Sequence, residues 1–250
     1  MFFVVKQQNV SASVAETWTF LAEPQKMGLW FADVDRMGEG EPFKFEFGDG
    51  DFFSGRVTRM RHPDLIELLW KFMGLGRQFR IQFLLSPLTP STTAVTVVDY
   101  GALTLEEAAS LREGWEDFLG RLAKAVDSRS SARYRWSETI AMGAVLEGLK
   151  GEMPSELRDP AWWRSRFAGI RVRSVESGTD SLALTFYDPA VGVESTQAKV
   201  KVRERDLETH LSVAHSGWDA VAEDHQLAQR RRYAALWLTA LRGLEGDYAP

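Results

Sequence analysis

Leu21-Ala-Glu-Pro-Gln-Lys-Met-Gly-Leu-Trp-Phe31 leads out of a helix into an aromatic pair, and an altered copy returns as Leu157-Arg-Asp-Pro160 with Trp163 and Phe167. Each copy is followed by alternating, strand-like segments and then by a long amphipathic helix, Leu105 to Val126 in the first case and Val221 to Leu244 in the second. The order of elements, more than residue identity, reads as a tandem of two related units of α+β class.

Around the first copy the pattern is detailed. An extended run, Phe2 to Val10, precedes Ser13-Val-Ala-Glu16, a capping box in which the Ser13 oxygen takes an early helical N–H and Glu16 reaches back to the Ser13 backbone. Pro24 ends that helix and opens a short second one carrying Met27, Trp30 and Phe31. Phe43, Phe45 and Phe47 alternate with charged residues, Gly48-Asp-Gly-Asp51 makes a hairpin turn, and Phe52 to Arg61 is the return strand. After His62-Pro63-Asp64, Ile66, Leu68, Trp70 and Phe72 share a face of a strand running from Leu65 to Phe72. Phe79, Ile81 and Phe83 do so on the next strand, and Thr93 to Tyr100 is the last. Leu111, Trp115, Phe118, Leu119 and Leu122 then form one apolar stripe of the closing helix. The result is an antiparallel sheet wrapped around a long C-terminal helix.

Asp127 to Ala132 is small and polar, so the organisation expected is a first domain over 1–127, a linker over 128–132 and a second domain over 133–250. In the second, strands are expected at Tyr134 to Ala141, 170–176, 181–187, 195–204 and Leu207 to His215. Its closing helix sets Leu227, Ala234, Leu238 and Leu241 on one face, with Trp237 and Leu244 at the margins. Nothing matches the Phe43 to Arg61 hairpin, so this domain is expected to be reduced.

Composition excludes several classes of function. At 250 residues, 44% apolar and 26% charged, the chain can build two cores, and no apolar run approaches a bilayer span of roughly 20 residues. Phe2-Phe3-Val4-Val5 lacks the basic start and cleavage site of a secretory signal, so a cytoplasmic protein is expected. The absence of cysteine removes disulfides, thiolate metal sites and thiol nucleophiles. A net charge of −5 argues against a nucleic-acid partner. Locally, Lys199, Lys201, Arg203 and Arg205 share one strand face, and Arg230-Arg231-Arg232 sits on the last helix; these read as a solvated face or a surface for an acidic protein partner. No nucleophile elbow, phosphate loop or metal-binding helix occurs, and Gly74-Leu-Gly76 is not a dinucleotide turn, so no cofactor is expected. The four histidines do not converge, which leaves no metal site and no assigned catalytic residue.

Ser13-Val-Ala-Glu-Thr-Trp18, Leu21-Ala-Glu-Pro24, Leu29-Trp30-Phe31, Glu113-Gly-Trp115 with Phe118-Leu119, and Val213-Ala-His-Ser-Gly-Trp218 carry a further signal. Together they resemble the START-like, Bet v 1-like (SRPBCC) superfamily, in its activator-of-Hsp90-ATPase-homologue-like branch. The resemblance implies helix-grip domains with an apolar cavity between sheet and helix. Such proteins bind lipids or other hydrophobic molecules, act as cyclases, or assist a chaperone.

The aromatic stripe of Phe45, Trp70, Phe79, Phe83, Trp115 and Phe118 either fills a core or lines that cavity, and Arg80, Asp99 and Tyr100 are its candidate polar handles unless they only make strand-end hydrogen bonds. The leading expectation is non-catalytic binding of a small hydrophobic molecule in the first domain. A chaperone-associated or other protein-interaction module is one alternative. A cyclase-like or hydrolase-like enzyme in which Asp99, Tyr100 or His215 moves a proton is another. Oligomeric state is not written in the sequence.

Overall fold

A computed structural model describes residues 3–102, 104–134, 136–189, 193–205 and 208–248. The chain divides into two compact units: residues 1–48 with 52–135, and residues 136–250 with the turn residues 49–51.

The first unit runs β1 (Val4–Val10), α1 (Val14–Ala22), α2 (Pro24–Met27), β2 (Pro42–Glu46), β3 (Phe52–Arg61), β4 (Leu65–Phe72), β5 (Phe79–Thr89), β6 (Thr92–Asp99) and α3 (Leu105–Ser128). Its strands form one antiparallel sheet in the order β1-β6-β5-β4-β3-β2. Period-two alternation sends Phe43, Phe45, Ile66, Leu68, Trp70, Ile81, Phe83, Val95 and Val97 to the buried face. Against that face α3 lays Trp115, Leu119 and Leu122, with Leu111 and Phe118 half-buried. Thr104 starts α3 by accepting the Glu107 N–H at 3.1 Å, and Glu106 and Glu107 put negative charge at the positive end of the helix dipole.

The second unit runs β7 (Ile140–Leu146), α4 (Pro160–Arg166), β8 (Arg171–Ser177), β9 (Ser181–Asp188), β10 (Val193–Arg205), β11 (Glu208–Ser216) and α5 (Glu223–Asp247), in sheet order β7-β11-β10-β9-β8. In both units the first strand pairs with the last, which feeds a long helix. Among the described residues the meander between them has one strand fewer in the second unit, so the missing hairpin amounts there to a single missing strand. The echo in sequence is also an echo in bonding. Trp30 donates its indole N–H to the Phe20 carbonyl at 2.9 Å, and Trp163 donates to the Leu157 carbonyl at 2.8 Å.

Several expectations are corrected. Trp30 and Phe31 lie beyond α2, in the turn that follows it. Ser13 does cap α1, but the Glu16 carboxylate pairs with Arg129 at 2.5 Å. The first strand of the second unit starts at Ile140 and not at Tyr134. Ala132 bonds to the Leu29 carbonyl, Arg133 pairs with Asp33 and Tyr134 packs on Phe47, all within the first unit, while Ser137 and Thr139 close a local turn. On α5 the buried face is rotated: Trp237 and Leu244 are at its centre, and Leu227 and Leu238 are half-buried. The expected strand residues Phe2 and Leu207 lie outside the described residues.

One glycine is sterically required. A Cβ on Gly55, opposite Trp70 in the β3–β4 pair, would lie 1.9 Å from the Leu69 carbonyl oxygen, so the two strands approach there as only glycine permits. On α3, by contrast, a Cβ on Gly120 meets nothing within 4 Å. Gly55→Ala should therefore lower the unfolding free energy of the first unit by about 3 kcal/mol, the upper end of overpacking costs. Gly120→Ala should raise it by about 0.5–1 kcal/mol. Chemical denaturation of the two variants checks both signs.

Candidate ligand site in the first unit

The inner face of the first sheet carries a continuous aromatic layer, built from the turn after α2, from β2 to β5 and from α3. Trp70 stacks on Phe53 at 4.3 Å and lies parallel to Trp115 at 6.1 Å with 2° between the ring planes. Phe83 meets Trp115 edge-on at 5.7 Å, and Phe45 meets Trp70 edge-on at 6.2 Å. Phe31 is the hub: its ring lies 4.8 Å from Phe118, 5.3 Å from both Phe45 and Phe47, and 6.2 Å from Trp70. Offset and edge-on geometries of this kind contribute beyond the area they bury. Five of the six stripe residues are thus joined in one network, and the sixth, Phe79, is half-buried at its margin. Sequence reading left Phe31 and Phe53 out of the site. The Trp30-Phe31 echo was the signal for the first; Phe53, opposite Phe45 in the β2–β3 pair, shares a face by period two with Gly55 and the buried Val57, and that was the signal for the second.

One charged group enters the layer. Asp99 ends β6 and is buried; its Oδ2 accepts the Trp115 indole N–H at 2.7 Å and its Oδ1 accepts the Gly101 backbone N–H at 2.7 Å. Burial pushes its carboxyl above the ordinary aspartate value, against the pull of those two bonds. Phe79 closes over the same spot, since a Cβ on Gly101 would sit 2.9 Å from Asp99 Oδ1 and 3.0 Å from the Phe79 ring. The other two candidate handles are elsewhere. Tyr100 follows Asp99 and so points to the opposite face, where its hydroxyl donates to Gln82 at 3.2 Å and the exposed Arg80 lies 4.0 Å over its ring. Asp99 is brought together with the aromatics; Arg80 and Tyr100 are brought together with each other.

The second unit has a counterpart. His215 pairs with Ile140, the first residue of β7, as Asp99 pairs with Val4, the first residue of β1. Its Nδ1 accepts the Trp237 indole N–H at 2.8 Å, which fixes the proton on Nε2, and Nε2–H donates to Thr196 Oγ1 at 2.7 Å. Phe186, Tyr233 and Trp218 enclose the ring at 4.7, 4.8 and 4.9 Å. Burial depresses its pKa to about 3. Sequence reading weighed His215 as an acid or base against a strand-end hydrogen bond and favoured the bond; the imidazole is held neutral, sealed and doubly bonded.

The basic residues separate. Arg230 is fully buried inside the second unit, donating to Asp51 Oδ1 at 2.8 Å and Oδ2 at 2.7 Å and to the Asp49 carbonyl at 2.7 Å. Arg232 pairs with Asp188. The expectation of a surface patch over Arg230 to Arg232 is therefore corrected: a buried guanidinium satisfies turn carboxylates and carbonyls that burial would otherwise leave unmet. Lys199 and Arg203 remain exposed on the outer face of β10, with Lys201 half-buried between them. Asp206, which follows that stripe in the sequence, lies outside the described residues. Among the described residues no cluster of three or more histidine or acidic side chains could hold a metal ion, and no helix is long and apolar enough to cross a membrane.

An antiparallel sheet gripping a C-terminal helix through an aromatic layer defines a helix-grip unit. Residues 11–127, most of this first unit, match the model of the family described as Activator of Hsp90 ATPase homolog 1-like protein. DynU16, a protein of the dynemicin biosynthetic locus, is similar over both units: 26% identity, 98% of each chain covered and a TM-score of 0.86. CalU16 from Micromonospora echinospora is 20% identical over 52% of this chain and 76% of its own, with a TM-score of 0.44. The Aha1 dimer from Colwellia psychrerythraea gives 21% identity, 50% and 96% coverage, and a TM-score of 0.43. No curated protein sequence matches the chain.

Two measurements probe these polar positions. Trp115→Phe keeps a ring in the layer but removes the Asp99 donor, and should cost about 1.5–3 kcal/mol, the range for hydrogen bonds to charged groups. For His215 the folded pKa lies below the unfolded value, so the unfolded chain takes up the proton first. Its contribution to stability is complete above about pH 6.5 and is lost as pH falls toward about 3, by up to about 1.4 kcal/mol per pH unit. Urea unfolding at pH 7 and pH 5 should show this slope in the parent chain and a shallower one in His215→Gln; equal slopes would remove His215 as the source.

Proposed function

We propose that the first unit binds a small hydrophobic molecule between its sheet and α3, without covalent chemistry. The observation that carries this reading is the composition of the aromatic layer. Its margin is half-buried at Phe53, Phe79, Leu111 and Phe118, and its interior holds a carboxylate where a core built only for stability would place an aliphatic side chain. Flat rings and one polar group suit a ligand that is largely apolar with a single anchoring function. Removing such a ligand from water would contribute roughly 25 cal/mol per Å² of apolar surface. DynU16, similar along the whole chain, belongs by its description to a biosynthetic locus, a setting in which a small-molecule ligand is at hand.

The enclosure of His215 disfavours a proton-transfer role for that residue. A second reading rests on Lys199, Lys201 and Arg203, which form no ion pair among the described residues and could receive an acidic protein segment. Association that weakens with salt and is lost on reversing Lys199 and Arg203 would support it.

For the leading reading, the gently purified chain should carry extra mass under native conditions that is released on denaturation. A ligand present at about 100 times its Kd should stabilise the first unit by about 2.7 kcal/mol. Phe118→Ala, which opens the margin of the layer, should reduce that thermal shift more than Leu88→Ala on the exposed β5 end. Equal masses, with no shift across a panel of fatty acids, alcohols and aromatics, would sink it.

A further inference from the structure

We infer that the molecule held by the first unit carries a hydrogen-bond-donating cationic head, of the primary ammonium type, seated on Asp99, with its apolar body against Phe79 and the rings that flank Trp115. This deepens the ligand-binding reading above and rests on it.

The argument begins with what Asp99 lacks. An ionised carboxylate accepts about four hydrogen bonds. Asp99 receives two, from Trp115 and Gly101, and among the described residues no cation acts on it. Its charge is therefore buried with a backbone N–H and an indole N–H as its only compensation. Protonation does not resolve this, because each oxygen already faces an N–H donor, and the acid proton would need an acceptor that neither supplies. A donor bearing positive charge completes the site, since it fills the open lone pairs and neutralises the buried charge.

The surroundings favour the same head group. The N–H edge of Trp115 meets Asp99, and Trp70 and Phe83 pack against Trp115 in the same layer, so a head group on the carboxylate would lie among rings whose faces are electron-rich. Such faces attract ammonium groups, most strongly where water is excluded. A carboxylate ligand would set like charges together in a poorly solvated place.

The second unit supplies an internal control. At the equivalent strand position His215 accepts one bond, donates another and is neutral, so nothing there is left for a ligand head to satisfy. The two units share the tryptophan donor from the closing helix and differ in what remains open beside it. Only the first leaves a charge to be met.

The test uses the full chain and three ten-carbon probes below their micelle-forming concentrations: decylammonium, decanol and decanoate. Binding is followed by tryptophan fluorescence in about 0.5 M salt, which screens attraction at exposed charges but not at a buried one. Decylammonium should bind about ten-fold or more tightly than decanoate, with decanol between them, and in Asp99→Asn the three should agree within about two-fold. Equal affinities in the parent chain, or a preference for decanoate, overturn the inference while leaving hydrophobic binding intact. Failure of all three probes to bind overturns the ligand-binding reading itself. Should Asp99→Asn not fold, decyltrimethylammonium on the parent chain decides the matter, because it keeps the charge but has no N–H. Binding at least about ten-fold weaker than decylammonium supports a head seated on Asp99, and equal binding refutes it.

Discussion

An indole N–H on the closing helix, donated to a titratable side chain on the last strand, is the interaction on which the rest of each unit depends. Trp115 on α3 reaches Asp99 on β6, and Trp237 on α5 reaches His215 on β11. A helix lying on a sheet through apolar contacts alone can slide and rotate at modest cost, because dispersion and the hydrophobic effect have little direction. A hydrogen bond at 2.7 or 2.8 Å does have direction, and an unmet buried donor or acceptor is costly. The bond therefore fixes which residues of the helix face the sheet. In the first unit it places Leu119 and Leu122 in the core and Phe118 at the margin; in the second it turns Trp237 and Leu244 inward in place of Leu227 and Leu238.

The same device works with opposite electrostatics. Aspartate accepts with two oxygens and carries charge, so fixing the helix leaves a surplus of acceptor capacity. Neutral histidine has one acceptor and one donor, and Trp237 and Thr196 use both. The second unit closes its polar position completely, with Phe186, Trp218 and Tyr233 around it, and it lacks the strand that would correspond to β2. Its aromatics come from elsewhere: Trp163 and Phe167, at the end of the altered repeat, lie 5.7 and 5.1 Å from Trp237. A tandem in which one copy fills its interior while the other keeps an unmet charge is a division of labour that fold class alone would not reveal.

Much of the architecture is legible in the chain because it follows from short-range periodicity. The alternation of Phe43 and Phe45, of Ile66, Leu68 and Trp70, and of Ile81 and Phe83 names both the strands and their buried faces. The Pro24 and Pro160 echoes mark the start of α2 and α4. The misread places are those where a long-range bond overrides the local pattern. Tyr134 looks like the start of a strand but packs on Phe47; Arg230 looks like surface but is drawn in by Asp51; Glu16 looks like half a capping box but pairs with Arg129. None of these partners lies within the window in which a helix or strand pattern is read. The site was half legible for the same reason. Period two correctly puts Asp99 on the face of Val95 and Val97, but it cannot show that Trp115, a loop and about three helix turns away, arrives to bond it.

This separation between what local pattern encodes and what assembly encodes bears on how such a site can change. The aromatic layer is over-determined: Phe31 touches Phe45, Phe47, Phe53, Trp70 and Phe118, so each contact is backed by others and a single substitution shifts packing by degrees. The polar position is not backed in this way. Among the described residues only Trp115 and Gly101 donate to Asp99, and Gly101 can do so while leaving space for the Phe79 ring because it carries no Cβ. The second unit sets a neutral histidine at the equivalent strand position, and there the surrounding shell differs as well. In the proposed binding reading, the shape of the surface is held by many weak contacts and its chemical preference by very few strong ones, so that specificity would lie in the Asp99, Gly101 and Trp115 trio and persistence of the fold in the rings around it.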